Sequence, residues 1–390
     1  MDDAGTAIMA CIKAHIASSK VARWGMQAIN MLLLHAEAAG ATQFASCKRK
    51  LVSLGACEAM VAAMRKHATD VRVQYQACAA IRRLAAHDHI TSDSLGALGA
   101  CQAVMAAMRI LAGEKLALAV CALAGLAQAA ANASVLASEG AAQAVVAILQ
   151  AHQRGMCTHF ALYALHQLLR HGEIAATIDA AGTCSAVVHA LDASPDDIEA
   201  HLPGMSALVE LARSEETKAL LDEAGACASI IRAMRTFPDS AAVQRDAVNA
   251  IVLLIAASGG AHRSRRLRLL GGHEVVLTAL TTHLQEATTK AFAIMALITL
   301  IEAPPVAVDM LAQASTAVLE AMRDHPSCEP LQACGATSVA RLAEAGADRE
   351  QLCQCRAPEL IAAAMQRFPD SARVQNGGAM ALATLGRQAS

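Results

Sequence analysis

One phrase returns along this chain: Gly-Ala, an apolar stretch, and then Ala-Met-Arg or a looser variant. Its clearest copies occupy residues 55–65, 99–109 and 225–235. Self-similarity at a long and regular period indicates repeated helical units, each of which buries its apolar face against copies of itself. The sequence therefore predicts a stacked helical array, and it directs the search for function toward surface binding rather than a catalytic pocket.

Alignment of the copies places one anchor residue in each unit. Neighbouring anchors lie 41 to 46 residues apart, except for 52 at the first step. Helical repeats of about 33 or 34 residues are too short for this period, whereas repeats of about 40 to 47 residues fit it. The anchors are Asp3, Gly55, Gly99, Gly140, Gly182, Gly225, Gly271, Gln313 and Arg356.

The composition favours helices and excludes several functional classes. Hydrophobic residues make up 55% of the 390 residues and aromatic residues only 2%, and there are 9 Pro. Ala, Leu and Met lose little rotamer freedom in a helix, and alternating β-branched segments are scarce. A formal net charge of −2 provides no overall field for nucleic acid or for an anionic membrane. We therefore predict an all-α protein that binds neither nucleic acid nor a membrane.

The cysteines indicate a reducing compartment. Most of the 13 Cys lie in apolar helical segments, without the spacing of a metal site or a disulfide framework. We predict a cytoplasmic location, with an axonemal or organellar assembly as the alternative. The acidic start at Asp2 and Asp3 is unlike a secretory signal, and the charge-free stretch 116–138 follows the repeat, so we interpret it as core rather than as a membrane span.

Each unit divides into three helices, and the sixth shows them most clearly. A short first helix over 216–223 stops near Gly225, where glycine can adopt the left-handed conformation that ends a helix. A second helix over 228–235 has its apolar residues on one face, and the turn 236–240 contains Pro and Asp. The third helix, 242–257, is the longest and most apolar.

This arrangement resembles the armadillo repeat along essentially the whole chain. The shared elements are Glu-Ala-Gly-Ala, an apolar second helix, a polar turn, Val-Gln, and an Ala-Leu-x-x-Leu-Ala phrase, seen at 73–74, 80–85, 207–212, 243–244 and 374–375. The resemblance implies an all-α, right-handed α-solenoid (superhelix) of about nine three-helix repeats that form a single domain, 1–390. The predicted repeats are 1–40, 41–88, 89–130, 131–172, 173–214, 215–260, 261–303, 304–345 and 346–390.

In armadillo proteins the third helices line a concave groove, and the resemblance implies partner-binding side chains there. Nuclear-import receptors of this family hold basic peptides with ladders of Asn and Trp, which the corresponding positions here lack. The remaining side chains are mixed, with a mildly apolar middle that suits an amphipathic helix better than a Lys-rich tail. The alternative is that individual side chains pack between neighbouring helices. The candidate groove residues are Arg83, Tyr163, Gln167, Asn249, Leu253, Phe292, Met295, Thr299 and Arg341.

One dense basic run offers a second candidate surface. Four Arg lie within six residues on the first helix of the seventh unit and could bind an acidic partner through forked hydrogen bonds. A face in contact with solvent only is the favoured alternative. These residues are Arg263, Arg265, Arg266 and Arg268.

Other short motifs favour structural explanations. Cys353 and Cys355 are two apart, so a helix would point them in different directions, and we predict no metal site. The His-Asp-His cluster at 87–89 is interpreted as a solvated turn. The Gly-Gly pairs in 258–260 and 376–378 lack the sequence context of a phosphate-binding loop. Each pair is expected to end a helix or to allow close packing of helices.

The sequence therefore predicts a scaffold or adaptor that binds a partner protein along the groove of the third helices. It predicts no enzymatic activity, no cofactor and no small-molecule substrate, because no catalytic constellation occurs in a suitable context. The alternative is a structural subunit of a large axonemal or organellar complex, in which convex ridges and solenoid ends make the contacts.

Overall fold

The fold was analysed in a computed structural model that describes residues 2–86, 88–151, 154–175, 177–256, 260–282, 286–301 and 308–386. Within these ranges every regular element is a helix and no strand occurs, which confirms the all-α prediction. The chain divides into two compact units, Met1–Glu210 and Leu211–Ser390, which we call unit 1 and unit 2. Each unit is described separately, and the single domain remains a prediction.

Unit 1 begins with two helices and continues in sets of a first, a second and a third helix. The helices are α1 (Asp2–His15), α2 (Ser19–Ala38), α3 (Ala41–Ser53), α4 (Ala56–Lys66), α5 (Val71–Ala85), α6 (His89–Ala97), α7 (Ala100–Met108), α8 (Glu114–Ala127), α9 (Ala133–Ser138), α10 (Ala141–Ala151), α11 (Met156–Leu169), α12 (Gly172–Ala175), α13 (Ala180–Ala193) and α14 (Ile198–Leu211), with a 3₁₀ turn at Ala130–Asn132. The third helices are α2, α5, α8, α11 and α14, and α5 packs between α2 and α8.

Unit 2 has the same order of helices, except that one uninterrupted helix, Val308–Asp324, stands where a first and a second helix are expected. The helices of unit 2 are α15 (Glu215–Glu223), α16 (Ala226–Thr236), α17 (Ala241–Ile255), α18 (Gly260–Leu269), α19 (Gly272–Thr282), α20 (Ala287–Ile301), α21 (Val308–Asp324), α22 (Glu329–Glu344), α23 (Arg349–Gln354), α24 (Ala357–Arg367) and α25 (Ala372–Gly386). The third helices are α17, α20, α22 and α25, and each packs against the next.

Left-handed residues separate first from second helices at several anchors. Gly55, Gly99, Gly225 and Gly271 have φ of +85°, +87°, +90° and +78°. An L-residue with a Cβ is strained in this conformation, whereas glycine adopts it freely. The expectation that an anchor glycine ends the first helix is therefore confirmed at these positions.

Three other anchors differ from these four glycines. Gly182 lies inside the first turn of α13, so it does not separate two helices. Gln313 lies within α21, which runs uninterrupted for 17 residues because its Ala-Gln-Ala-Ser segment contains neither Gly nor Pro. Arg356 adopts the left-handed conformation with φ +60°, although it carries a full side chain.

The Val-Gln phrase closes the corner between second and third helices. The Nε2 atom of Gln244 donates to the carbonyl oxygens of Met234 at 2.9 Å and Phe237 at 3.0 Å. A helix leaves its last carbonyls without intrahelical partners, so a buried amide from the next helix satisfies two of them. The same pair of bonds, to residues ten and seven positions earlier, is made by Gln74, Gln332 and Gln375.

The Ala-Met-Arg phrase links one repeat to the next. A guanidinium nitrogen of Arg65 donates to the carbonyl oxygen of Leu98 at 2.7 Å, and Arg235 bonds in the same way to Leu270 at 2.8 Å. Arg323 donates to the carbonyl oxygen of Cys355. In each case the carbonyl directly precedes the left-handed residue that ends the following first helix.

The left-handed anchors generate a test of the backbone argument. We expect Gly225→Ala to lower the free energy of unfolding by about 1 kcal/mol, and Arg356→Gly to change it by less than ~1 kcal/mol, toward greater stability. A Cβ on Gly225 would have no heavy atom within 4 Å, so any loss comes from the backbone conformation rather than from a clash. Urea unfolding of both variants checks this expectation. Equal stability of Gly225→Ala and the unaltered protein would contradict it.

Candidate functional site

The third helices α20, α22 and α25 of unit 2 enclose an open groove of about 680 Å³. Its lining combines apolar side chains with a few polar groups and two cations. The apolar contribution comes from Ala291, Phe292, Met295, Ile298, Pro330, Ala333 and Met380. A groove of this size and character is typical of a site that receives side chains of another molecule.

Helical spacing exposes the large apolar side chains of the groove. Phe292 and Met295 lie three residues apart on α20 and are 43% and 44% exposed, whereas Ala293 and Ile294 between them are buried. Met380 on α25 is 39% exposed. Apolar side chains with this much exposure lose contact with water when a partner covers them, which favours association.

The polar groups of the groove are divided between hydroxyls and cations. Thr299 Oγ1 donates to the Met295 carbonyl oxygen at 2.9 Å, and Thr337 Oγ1 donates to the Ala333 carbonyl oxygen at 3.0 Å. Arg341 and Arg373 are exposed on α22 and α25. Among the lining residues that the structure describes there is no Asp or Glu.

Glycines in α25 set the distance between this helix and its neighbours. A Cβ on Gly377 would lie 2.6 Å from Thr337 Oγ1, and one on Gly378 would lie 2.5 Å from Met365 Sδ. Both separations are too short for real Cβ atoms, so the pair permits close approach of helices. The expectation of helix packing for residues 376–378 is confirmed, and Gly377 also lines the groove.

The structure brings four of the nine predicted groove residues together. Phe292, Met295, Thr299 and Arg341 all line the groove in unit 2. Met380 also lines the groove, and it holds the position in its helix that Met295 holds in α20, which the register of the repeat assigns to the groove. Sequence reasoning missed Arg373. Arg373 lies in the first turn of α25, outside the register used for prediction, and no sequence signal identified it.

Asn249 and Leu253 do not line this groove. Both are half-buried on α17, the third helix that packs against α20. The buried Oδ1 of Asn249 has no hydrogen-bond partner within the residues that the structure covers. Their role as partner contacts remains a prediction.

The three candidates in unit 1 make contacts within their own unit. Arg83 donates to Asn30 Oδ1 at 2.5 Å and to Glu37 Oε2 at 3.2 Å. The Tyr163 hydroxyl accepts from Gln128 Nε2 at 3.1 Å, and burial raises the pKa of this phenol. Gln167 is 7% exposed, so the alternative of packing between helices describes it better than contact with a partner.

The Arg run does not form one exposed patch, which corrects both interpretations of it. Arg263 is 5% exposed, and its Nε donates to the Leu254 carbonyl oxygen at 2.6 Å. Arg266 is half-buried and donates to Asp222 Oδ1 at 2.9 Å. Arg268 is also half-buried, and Arg265 is exposed. The helical period turns every third or fourth residue of α18 inward, and an Arg that falls there bonds to carbonyls.

The remaining motifs carry no site in the described parts of the chain. His87, Ser258 and Gly259 lie outside those parts. No group of three or more His, Cys, Asp or Glu able to hold a metal ion occurs within them. Cys353 is exposed at the end of α23, and Cys355 follows the helix.

No single helix in the covered ranges is both long and apolar enough to cross a membrane. One pair of helices bent by 112°, Glu114–Ala127 and Ala130–Ser138, meets the requirement for length and composition. The first of these helices is the third helix α8, and most of its residues are buried in unit 1.

A family model described as the LRRK2 ARM repeat matches residues 156–389. A chain from a structure of the interaction between cadherin and beta-catenin superposes with a TM-score of 0.75 at 16% identity, covering 99% of this chain and 78% of that one. A designed armadillo repeat protein gives a TM-score of 0.53 at 22% identity, covering 63% and 99%. A second designed armadillo repeat protein, in complex with peptide (KR)4, gives 0.50 at 21% identity, covering 63% and 99%. No curated protein matches the chain.

These similarities confirm the armadillo-type α-solenoid fold. Identities of 16%, 22% and 21% show the fold alone. The residues that line the groove are the ones already described on α20, α22 and α25.

The short distance between a Cβ at Gly377 and Thr337 Oγ1 predicts how α22 and α25 respond to substitution. We expect Gly377→Ala to lower the free energy of unfolding by about 1 kcal/mol, because overpacking against Thr337 outweighs the gain in helix propensity. The same substitution in a Thr337→Ala background should cost at least ~1 kcal/mol less, because the nearest obstacle is gone. Urea unfolding of the double-mutant cycle measures this coupling.

Gly386→Ala provides the control for this cycle, because a Cβ at Gly386 would meet no heavy atom within 4 Å. It should not lower the free energy of unfolding. Strictly additive effects of Gly377→Ala and Thr337→Ala would show that the two residues do not limit the helix separation.

Proposed function

Because the chain belongs to the armadillo-repeat family represented by the LRRK2 ARM repeat, we propose that it is a scaffold or adaptor that binds a partner protein through the groove of unit 2. The fold is one that generally serves as a non-catalytic binding scaffold. The observation that carries the proposal is the groove itself, where exposed apolar side chains on α20 and α25 face the same open volume.

The groove contains Phe, Met and Arg, which are enriched at protein interfaces relative to the rest of the surface. Phe292 supplies a large apolar ring, and Met295 and Met380 are flexible side chains that adapt to a partner. Arg341 and Arg373 add donors at the same surface. This combination gives a partner both an apolar contact and a polar one that fixes its orientation.

The structural neighbours support the proposal by analogy. One designed armadillo protein is in complex with a peptide, and another neighbour comes from work on the interaction between cadherin and beta-catenin. Both are cases of an armadillo fold that recognises another polypeptide. We infer that this chain also recognises a protein, but we do not infer that it binds the same partners as these neighbours.

We further propose that the protein has no catalytic activity and that it works in a reducing compartment such as the cytoplasm. Burial raises the pKa of Cys78, Cys101 and Cys227 to about 12, so these thiols are neutral and unreactive at physiological pH. Buried free thiols of this kind suit an environment in which disulfides do not form.

A second candidate function is a structural subunit of a large assembly. Ile90, Leu269 and Val308 are 80%, 77% and 71% exposed. They lie on α6, α18 and the start of α21, outside the third helices. Apolar side chains exposed on these helices favour an assembly in which neighbouring subunits contact the outer surface of the helices rather than the groove.

Affinity purification from native cells with quantitative mass spectrometry distinguishes the two functions. We expect Phe292→Asp to reduce recovery of the specific partner at least tenfold, because a carboxylate replaces a central apolar contact. Leu269→Asp is the matched control, since Leu269 is also exposed and lies outside the groove. It should leave recovery unchanged.

The reverse pattern would contradict groove binding. Loss of partners with Leu269→Asp and full retention with Phe292→Asp would assign the contacts to the ridge and favour the structural subunit. Circular dichroism of both variants verifies that each retains its helical content.

A further inference from the structure

Another cavity, of about 580 Å³, lies in unit 1 and shares no residue with the groove of unit 2. Its walls come from the end of α2, from α3, from the end of α5 and from the turn before α6. A volume of this order suits a small ligand or a single modified side chain. Cations outnumber carboxylates among the described lining residues: the cations are Lys48, Arg49, Arg82 and Arg83, and the carboxylates are Glu37 and Asp88.

Both carboxylates of the cavity are already paired with a cation. Lys48 is 7% exposed, and its Nζ atom lies 3.0 Å from Asp88 Oδ2. The Asp88 carboxylate also accepts from the backbone N–H and the hydroxyl of Thr91, at 3.0 and 2.7 Å. Arg83 Nε donates to Glu37 Oε2 at 3.2 Å. These two ion pairs leave two cations of the cavity without a carboxylate.

The remaining cations are Arg49 on α3 and Arg82 on α5. Arg49 is exposed, and its side chain forms no hydrogen bond or ion pair with the described residues. Arg82 is half-buried beside the Cys121 thiol, and its buried Nε has no hydrogen-bond partner in the described ranges. Burial raises the pKa of this thiol to about 11, although the neighbouring Arg82 opposes the rise. The thiol is therefore neutral at physiological pH and does not balance the guanidinium group.

The positive charges of the cavity lie close enough to affect one another. Burial and, after it, the charge of Arg82 lower the pKa of Arg83, although Glu37 acts in the opposite direction. Like charges held together in a partly buried cavity raise the local potential, and a bound anion relieves their repulsion. The cavity therefore favours an anion, and an excess of two cations over carboxylates favours a doubly charged one.

A phosphate monoester meets this requirement better than a carboxylate does. Its phosphoryl group carries a charge of about −1.5 to −2 near pH 7 and three acceptor oxygens, whereas a carboxylate carries a single charge. Guanidinium groups bind phosphate oxygens through two parallel N–H bonds. Phe44 is half-buried and lines the same cavity, where an aromatic side chain can contact the carbon part of an ester.

We propose that this cavity of unit 1 binds the phosphoryl group of a phosphate monoester. Arg49 and Arg82 are its ion-pair partners, and Phe44 contacts the organic group of the ester. The phosphoryl group can belong to a free small molecule or to a phosphorylated side chain of another protein, and the chemistry that recognises it is the same. This site is additional to the groove through which we propose that a partner protein binds.

Ligand-observed NMR titrations of the full chain with phenyl phosphate and phenyl sulfate test the proposal. The two compounds share the ring and the tetrahedral anion, but at about pH 7.5 the phosphate carries nearly one more negative charge. We expect phenyl phosphate to bind at least about fivefold more tightly at low salt.

A short peptide with one phosphotyrosine between glycines, and with blocked termini, distinguishes the two sources of the phosphoryl group. Binding of this peptide as tight as that of phenyl phosphate supports a phosphorylated segment of a partner protein. Binding of the peptide at least about fivefold weaker than that of phenyl phosphate supports a free ester, because the cavity then excludes the flanking chain.

Substitutions locate the binding in the cavity. The double variant Arg49→Gln/Arg82→Gln should weaken binding of phenyl phosphate about tenfold, because it removes both ion pairs to the phosphoryl group. Arg49→Gln alone changes only an exposed position and should weaken binding about threefold. The control variant Arg72→Gln/Arg109→Gln removes the same charge from exposed positions of unit 1 outside the cavity, and it should change affinity less than about twofold.

Three results would overturn the proposal. They are equal binding of phenyl sulfate and phenyl phosphate, equal losses in the two double variants, and no saturable binding of phenyl phosphate. Circular dichroism verifies that each variant retains its helical content, and the single variant Arg49→Gln provides the test if the double variant does not fold. None of these results bears on the groove of unit 2, which the cellular comparison of Phe292→Asp with Leu269→Asp tests separately.

Discussion

The unpaired carbonyls at the ends of short helices are the constraint on which this structure depends. A chain built from helices of about a dozen residues has many helix ends, and each end leaves carbonyls without intrahelical partners. Two recurring side chains satisfy them. Gln244 and its equivalents bond the end of the second helix from within the repeat. Arg235 and its equivalents bond the end of the next first helix from the preceding repeat.

Some of these bonds hold helices that line the groove of unit 2. The glutamine bonds join the third helices α5, α17, α22 and α25 to the helix that precedes each of them. In unit 2 the third helices α17, α20, α22 and α25 then pack one on the next. In unit 2 the exposed faces of α20, α22 and α25 follow from that arrangement, with Gly377 permitting close approach of the last two. Glutamine bonds at helix ends therefore hold α22 and α25, two of the three helices around the proposed binding surface. The chemistry of that surface depends on the residues placed at exposed positions of the third helices.

Much of this could be predicted from the sequence, and the exceptions have physical causes. Periodicity indicated the all-α fold, and glycine marked the helix ends at Gly55 and Gly225, because only glycine adopts that conformation without strain. The repeat spacing wrongly predicted a helix end at Gln313, which lies inside an uninterrupted helix because no Gly or Pro is next to it. Arg263 was expected at the surface, yet it is buried, because the residue type does not show which face of a helix meets a neighbour. Arg373 reaches the groove through the packing of α25, which no local pattern reveals.

The bonds of the buried glutamines join the second helices to the third helices, and their contribution can be measured. Hydrogen-exchange mass spectrometry on the full chain with Gln244→Leu measures their contribution, because Leu keeps the volume and removes both donors. We expect the opening free energy of the α16–α17 corner to fall by about 1 kcal/mol, because the buried Met234 carbonyl loses the amide donor, whereas the Phe237 carbonyl keeps its bond from the Ser240 N–H at 3.2 Å. Gln366→Leu, at an exposed position of α24, should leave the exchange there unchanged. Unaltered protection of the α16–α17 corner in Gln244→Leu would contradict the claim that side-chain capping of helix ends holds the repeats together.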